Sequence, residues 1–160
     1  MDETIFEEIY EQTARPLWAY VARISGNTTA ADDILQETFL RFLNLPPKNN
    51  DLKAVKPYLY KIATNLVYDR FRKLKREGVA ENILPEKSEM MIENFGEELE
   101  MIQVFSRLKQ QERALLWLAY VEGYEHREIA QILKLNAMSV RVLLFRARRK
   151  LAEILEGEKK

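Results

Sequence analysis

The stretch "EHREIAQILKLNAMSVRVLLFRARRKL", residues 125–151, contains two amphipathic segments separated by the short turn "KLN". The first segment covers residues 125–133, and the second covers residues 137–155. Two helices joined by a tight turn, with arginines concentrated on the second, are typical of a helix-turn-helix motif that binds DNA. This part of the sequence therefore predicts a small helical domain that contacts DNA.

The second helix of this pair has a buried side and an outward side. Apolar residues at successive spacings of four, three and four share one face, which predicts that they are buried. They are Val140, Leu144, Ala147 and Leu151. The candidate DNA-binding residues on the rest of the helix are Arg141, Val142, Phe145, Arg146, Arg148, Arg149 and Lys150.

The apolar residues among these arginines allow two interpretations. Val142 and Phe145 could contact thymine methyl groups in the major groove while the basic side chains hold phosphates. Alternatively, the same residues, with Leu143 at their edge, could form an apolar patch that docks on a protein.

The composition is that of a soluble, mostly helical protein. The 160 residues are 47% hydrophobic and 31% charged, with only five glycines and five prolines. The absence of cysteine excludes a disulfide framework and a thiolate metal site. No apolar run approaches the ~20 residues that span a bilayer, so we expect a cytoplasmic protein without membrane insertion.

The net charge is zero, but the charges are unevenly distributed along the chain. Residues 77–103 contain eight glutamates and one lysine, whereas the flanking parts are mildly basic. This acidic middle segment indicates a linker between two mildly basic parts of the chain. We therefore predict an all-α protein with two small helical domains, residues 1–76 and 99–160, joined by an acidic linker at residues 77–98.

Hydrophobic periodicity predicts further helices upstream, and no convincing strand alternation is present. The predicted helices cover residues 4–24, 29–44, 55–76 and 97–122. We expect Pro16 to kink or split the first helix, Thr29 and Asp32 to form a capping box at the start of the second, and Gly123 to end the fourth.

One side of the third helix carries a stripe of basic, amide and aromatic residues at spacings of four, three, four and four. They are Lys61, Asn65, Tyr68, Arg72 and Arg76. Basic groups hold phosphates, an amide can pair with a base edge, and a tyrosine ring can stack on an unpaired base. The stripe predicts a nucleic-acid interface, although an ordinary solvated helix face has a similar basic composition.

The second helix carries a different surface, in which Leu40 is exposed among acidic and amide residues. The candidate protein-docking residues are Asp33, Gln36, Glu37 and Leu40. A leucine with a polar rim is typical of an interface hot spot, although single exposed leucines are common. Carboxylates early in a helix are explained by the helix dipole, so we predict no metal site.

The sequence supplies little for catalysis. His126 is the only histidine, and the chain contains no HExxH motif, glycine-rich phosphate loop or nucleophile elbow. We therefore predict a protein that is not an enzyme and that needs no cofactor.

Three stretches in this order resemble the extracytoplasmic-function sigma factors of bacterial RNA polymerase. "DDILQETFLRFL" is similar to their region-two helix, and "YLYKIATNLVYDRFRK" to the following helix. "RLKQQERALLWLAYVEGYEHREIAQILKLNAMSVRVLLFRARRKL" is similar to their region four. The resemblance covers nearly the whole chain apart from the acidic linker.

The resemblance implies a sigma factor whose partners are core RNA polymerase and promoter DNA. Region two would dock on the clamp helices of the largest subunit and would read and open the minus-ten element. Residues 45–56 would help to form a pocket for a flipped base, and Asn65, Asp69 and Arg72 match the family pattern. Region four would bind the flap of the second-largest subunit and read the minus-thirty-five element.

Region four departs from the family pattern at several positions. Residues 142, 143 and 145 are apolar where the family typically has small polar or basic residues. Lys134 replaces a common turn glycine, and Glu125 replaces the usual Ser or Thr cap. An anti-sigma factor or a DNA-bound recruiter is therefore a further possible partner of region four. A different hypothesis is a dimeric helix-turn-helix regulator that binds duplex DNA without polymerase.

Overall fold

The structure, a computed structural model, describes residues 1–78 and 103–158, and the regular structure in these two ranges is helical. An N-terminal bundle consists of α1 (Glu3–Ser25), α2 (Thr28–Asn44) and α3 (Leu52–Glu77), which all pack against one another. The C-terminal domain contains α4 (Gln110–Leu116), a π-helical turn (Trp117–Val121), α5 (His126–Leu133) and α6 (Ala137–Glu158). None of the described helices is long and apolar enough to cross a membrane.

Helix α1 is continuous, and Pro16 lies inside it. The expectation that Pro16 splits the helix is therefore wrong. Proline removes one backbone hydrogen bond, but Leu17 and Trp18 beside it are buried in the bundle core, and this burial offsets the loss. The helix ends at Gly26, whose φ of +72° places it in the left-handed region that favours glycine.

Helix α2 begins one residue before the predicted start, with Asn27 as its N-cap. The Asn27 side chain accepts a hydrogen bond from the backbone N–H of Ala30 at 2.9 Å. The predicted capping box of Thr29 and Asp32 is wrong, because Asp32 Oδ1 instead accepts from Trp18 Nε1 at 2.7 Å. Asparagine is a stronger N-cap than threonine, so the helix starts at the better cap.

Helix α3 begins at Leu52, three residues before the predicted start, and continues through Pro57. The carbonyl of Asp51 accepts from the backbone N–H groups of Ala54 and Val55, which provides the first turn. Gly78, with a φ of +72°, terminates the helix.

The predicted fourth helix is interrupted. Residues 97–102 lie outside the described ranges, residues 103–105 form a helical turn, and α4 starts only at Gln110. The Arg113 side chain stabilises this break, because its Nε donates to the carbonyl of Leu108 at 2.9 Å. The helical segment ends before Gly123, which has the expected left-handed conformation.

The helix-turn-helix is formed by α5 and α6, as predicted. At the start of α5, the Glu128 side chain accepts a hydrogen bond from the backbone N–H of Glu125 at 3.1 Å, so the glutamate at the third position of the helix satisfies this N–H. Lys134 ends α5 with a φ of +56°, and the Asn136 side chain accepts from the N–H of Met138 at 2.9 Å to start α6.

The two domains contact each other. Helix α5 packs on α3, and α4 packs on α1. Buried apolar residues of both domains form one hydrophobic cluster.

Candidate functional site

The stripe on α3 divides into exposed cations and half-buried residues. Lys61, Arg72 and Arg76 are exposed, whereas Asn65 and Tyr68 are half-buried. Arg72 forms an ion pair with Asp69. An open groove of about 520 Å³ is lined by Asp69, Arg72, Lys75 and Arg76, and three of these four side chains are cationic. This end of α3 can therefore hold phosphates.

Tyr68 is less accessible than its position in the stripe predicts. Its hydroxyl is buried and has no hydrogen-bond partner among residues 1–78 and 103–158. Burial raises the pKa of Tyr68 to about 12. The expectation of a fully outward-facing ring is therefore corrected, because the ring packs against the hydrophobic core.

Asn65 contributes to a cavity between the C-terminal end of α2 and the middle of α3. The cavity has a volume of about 310 Å³ and is lined by Arg41, Asn44, Leu45, Tyr58, Ile62 and Asn65. The hydroxyl of Tyr58 donates to the carbonyl of Leu45 at 2.5 Å and thereby fixes the loop that follows α2. The cavity is therefore lined by apolar side chains, the Tyr58 ring, two side-chain amides and the Arg41 guanidinium. Such a lining can bind a flat heterocycle, because the ring and apolar groups contact its face and the polar groups hydrogen-bond to its edge.

The sequence interpretation identified Asn65 in this cavity but missed Arg41, Asn44 and Tyr58. Tyr58, Ile62 and Asn65 are spaced by four and three residues, so their shared face was visible in the sequence. The two residues that α2 contributes to the cavity could not be predicted from the sequence, because their position beside α3 depends on how the two helices cross.

The outward face of α2 is exposed as predicted. Asp33, Gln36, Glu37 and Leu40 are all accessible, and Leu40 is 51% exposed. Leu43, three residues after Leu40 on the same helix, is also exposed, at 42%, and enlarges the apolar centre of this face. Within the described part of the chain, no group of three or more potential metal ligands is present.

Helix α6 displays an apolar ridge, which we define as Met138, Val142 and Phe145. These residues are spaced by four and three and are 81%, 48% and 51% exposed. The guanidinium groups of Arg148 and Arg149 lie over the Phe145 ring at 5.9 and 6.0 Å from its centroid. Val140, Leu144 and Ala147 are buried on the opposite side, and Leu151 is half-buried.

Arg141 and Arg146 on the same helix are exposed. The side chain of Arg148 has a partner within the domain, because Nη1 donates to the Tyr120 hydroxyl at 2.8 Å. Arg149 is exposed as well, so the cationic side chains of Arg141, Arg146 and Arg149 are accessible on α6.

Lys150 differs from its predicted role as an outward DNA contact. It is half-buried, and its Nζ donates to Glu112 Oε1 at 3.0 Å. Burial of Glu112 opposes its ionisation, but the Lys109 N–H and the Lys150 ammonium outweigh burial, so the pKa of Glu112 lies below its ordinary value. The Lys150 charge is therefore paired inside the domain, because α4 brings a carboxylate beside it.

Comparison with known proteins identifies the family. Residues 9–77 match the family model for sigma-70 region 2, and residues 98–151 match the model for sigma-70 region 4. The chain is 26% identical over 151 residues to the extracytoplasmic-function RNA polymerase sigma factor SigM of Bacillus subtilis, covering 91% of both chains. The chain belongs to the extracytoplasmic-function sigma factors. This sigma factor is also 28% identical over 173 residues to SigW of Bacillus subtilis, covering 96% of its own chain and 90% of SigW.

Solved structures share the fold of this sigma factor. The sigma factor RpoE of Bartonella quintana, in complex with the anti-sigma factor NepR, superposes with a TM-score of 0.76 at 20% identity, covering 94% of this chain and 96% of RpoE. CnrH, in complex with the cytosolic domain of CnrY, has a TM-score of 0.71 at 24% identity, covering 98% and 90% of the two chains. The predicted family and the all-helical fold with regions two and four are confirmed.

A sigma factor binds core RNA polymerase and directs it to promoter DNA for transcription initiation. This family assignment does not favour the alternative of a regulator that acts without polymerase.

Proposed function

We propose that three helix faces of this sigma factor act at separate steps of initiation. The α2 face of Asp33, Gln36, Glu37 and Leu40 binds the clamp helices of core polymerase. The α3 stripe opens and reads the minus-ten element, and α6 contacts DNA upstream. The protein acts in the cytoplasm and has no catalytic activity of its own.

The observation that carries the proposed minus-ten role is the 310 Å³ cavity beside the stripe. Extruding a base from the stack costs a few kcal/mol, and a fitted cavity together with phosphate contacts can offset this cost. Tyr58 and Ile62 offer apolar contact with a base, and Asn65 offers both a donor and an acceptor to its edge. Lys61, Arg72 and Arg76 are exposed for contact with the phosphates.

Arg41 is available to the same cavity. Its Nε forms an exposed ion pair with Glu37 at 3.1 Å, and such pairs on a helix surface contribute only about 0.3–0.5 kcal/mol. Contact with a base or phosphate can therefore replace this pair at little cost.

The proposed role of α6 combines non-specific and apolar contacts. Arg141, Arg146 and Arg149 hold phosphates, while Val142 and Phe145 contact thymine methyl groups. Base-edge hydrogen bonds provide most discrimination, about 1–3 kcal/mol for each good bidentate pair, so sequence reading by this helix is weak.

The apolar ridge supports a second candidate role for α6. Met138 at its end is 81% exposed, and a contiguous exposed ridge of this kind is typical of a protein-docking surface. The solved relatives RpoE and CnrH were captured with NepR and with the CnrY cytosolic domain, respectively. In this second role, the ridge docks an anti-sigma factor or a DNA-bound recruiter.

Run-off transcription tests the proposal, using purified core polymerase and templates randomised at both promoter elements. We expect strong minus-ten preference, and Asn65→Ala should weaken that preference at one base position by about tenfold, equivalent to ~1.4 kcal/mol. Gln12→Ala, an exposed amide on α1, is the matched control. Flat upstream preference would support the recruiter role, and absence of initiation by the wild-type chain with core would refute the proposal.

A further inference from the structure

The apolar ridge on α6 lies between exposed arginines. Arg141 flanks the ridge on one side and Arg146 on the other. Arg149 lies along the ridge, with its guanidinium 6.0 Å from the centroid of the Phe145 ring. Residues 137–150 contain five cations and no carboxylate. The ridge therefore suits a partner that offers apolar groups with carboxylates at their edges.

The exposed side of α2 has the complementary arrangement. Leu40 and Leu43 form an exposed apolar strip. The exposed carboxylates of Asp33 and Glu37 lie seven and three residues before Leu40, on the same side of the helix. The ion pair between Glu37 and Arg41 is exposed and weak, so this carboxylate can also contact a cation of a partner.

Helix α1 extends this surface. The Tyr10 side chain is 41% exposed, and its ring centroid lies 4.9 Å from that of Phe39. Leu43 follows Phe39 by one helical turn, so Tyr10 continues the apolar strip of α2 onto α1. We call the combined surface the acidic face. Its members are Tyr10, Asp33, Glu37, Leu40 and Leu43.

The apolar ridge and the acidic face are exposed in the same structure. A contact between them therefore requires two chains. Pairing of like surfaces is unfavourable, because ridge against ridge brings arginines together and acidic face against acidic face brings carboxylates together. Pairing of ridge with acidic face instead buries apolar groups against apolar groups and places arginines beside carboxylates. The net charge of zero adds no overall repulsion between two copies.

We propose that the free sigma factor self-associates, with the apolar ridge of one copy docked on the acidic face of a second copy. Each chain supplies one surface of each kind, so two chains can form both contacts reciprocally or further chains can add head to tail. The association itself does not depend on the proposed function, but its consequence rests on it. A covered acidic face cannot bind the clamp helices, and a covered ridge cannot contact upstream DNA.

Sedimentation velocity of the full chain at several concentrations tests the association. At low salt we expect species larger than the monomer, in proportions that rise with concentration. Salt at about 1 M shortens the screening length to about 3 Å, from about 10 Å at 0.1 M. Weakening of several exposed charge pairs together should then raise the dissociation constant about tenfold. Phe145→Ser, which removes an apolar contact, should raise it by at least about tenfold at low salt.

A charge exchange tests which surfaces meet. Asp33→Lys with Glu37→Lys makes the face basic, and Arg146→Glu with Arg149→Glu makes the rim of the ridge acidic. Each double variant alone should self-associate at least about tenfold more weakly than the wild type, because its two surfaces then have like charges. An equal mixture of the two double variants should associate as the wild type does, because both contacts again join opposite charges.

A second pair of double variants controls for net charge. Glu8→Lys with Glu77→Lys and Lys53→Glu with Lys73→Glu change exposed residues outside both surfaces. Their net charges match those of the two test variants, because each also reverses two charges of one sign. Each control alone should self-associate as the wild type does. Urea unfolding checks the fold of every variant, and the wild-type concentration series decides the proposal if a variant is unstable.

Three results would overturn the inference. They are a wild type that stays monomeric at every concentration at low salt, test variants that associate like the wild type, and a mixture that stays monomeric. The first result would assign the ridge to a different protein or to DNA. These measurements use neither polymerase nor promoter. A monomeric chain that initiates transcription would therefore refute self-association alone, whereas a self-associating chain that fails to initiate would refute the proposed function alone.

Discussion

Lys134 adopts the left-handed backbone conformation at the turn of the helix-turn-helix, with a φ of +56°. A side chain with a Cβ is disfavoured there, by about 1–2 kcal/mol, whereas glycine is not. We expect Lys134→Gly to raise the free energy of unfolding by roughly 0.5–1 kcal/mol after the entropy of glycine in the unfolded chain is subtracted. Urea denaturation provides the measurement. Lys134→Ala, which keeps the Cβ, is the control, and an equal gain in this variant would exclude backbone strain as the cause.

Glu112 couples the stability of region four to pH. Its pKa is lowered in the folded state, so its bonds to Lys109 and Lys150 stabilise the fold above the ordinary glutamate pKa of 4.5. This contribution is lost as pH falls through the lowered folded-state pKa. We expect the wild type to lose stability on acidification below about 4.5 more steeply than Glu112→Gln, measured by urea unfolding between pH 3 and 7. Glu153→Gln on α6 is the control, and parallel pH profiles for wild type and Glu112→Gln would contradict the prediction.

At the scale of elements, one face of α2 is buried in the bundle and the opposite face is exposed for docking. Thr38, Phe39 and Phe42 are buried, so changes to the exposed carboxylates opposite them should leave the bundle intact. We expect Asp33→Lys combined with Glu37→Lys to abolish retention of core polymerase in a pull-down while the circular dichroism melt stays within a few degrees of wild type. Glu7→Lys with Glu8→Lys on α1 is the charge-matched control. Undiminished retention of core by the α2 variant would reject the docking assignment.

The number and order of the helices in the described ranges followed from sequence periodicity, but their ends depended on competing local signals. The start of α2 was predicted at a threonine cap, whereas Asn27 provides the cap and frees Asp32 to bind Trp18. The break before α4 was not predicted, because Arg113 binds carbonyls on the far side of the break and on α1. Periodicity reports which face of a helix is buried, not which tertiary partner satisfies an exposed carbonyl.

At the scale of the whole molecule, Trp117 reports the contact between the two domains, because the Arg23 guanidinium of α1 lies over its ring. It is 9% exposed and lies under Arg23, while the other tryptophan, Trp18, lies within the N-terminal bundle. In a Trp18→Phe background, we expect Glu122→Ala to shift Trp117 emission to longer wavelength and to raise its quenching by acrylamide at least twofold. The same background with Glu8→Ala should match the parent. Unchanged quenching in the Glu122 variant would mean that the two domains stay together without the hydrogen bond that the Tyr60 hydroxyl donates to Glu122.

The sequence by itself determined the all-helical fold, the helix-turn-helix, the exposed α2 face and the outward positions of Val142 and Phe145 on α6, because each depends on spacing within one helix. Only the tertiary structure decided that Asn65 shares a cavity with Arg41, that Glu112 pairs with Lys150, and that Tyr68 is half-buried against the hydrophobic core. These three outcomes join residues from separate helices. Their energies depend on how the helices cross and on which buried polar groups find partners, and no periodicity within one helix encodes that information.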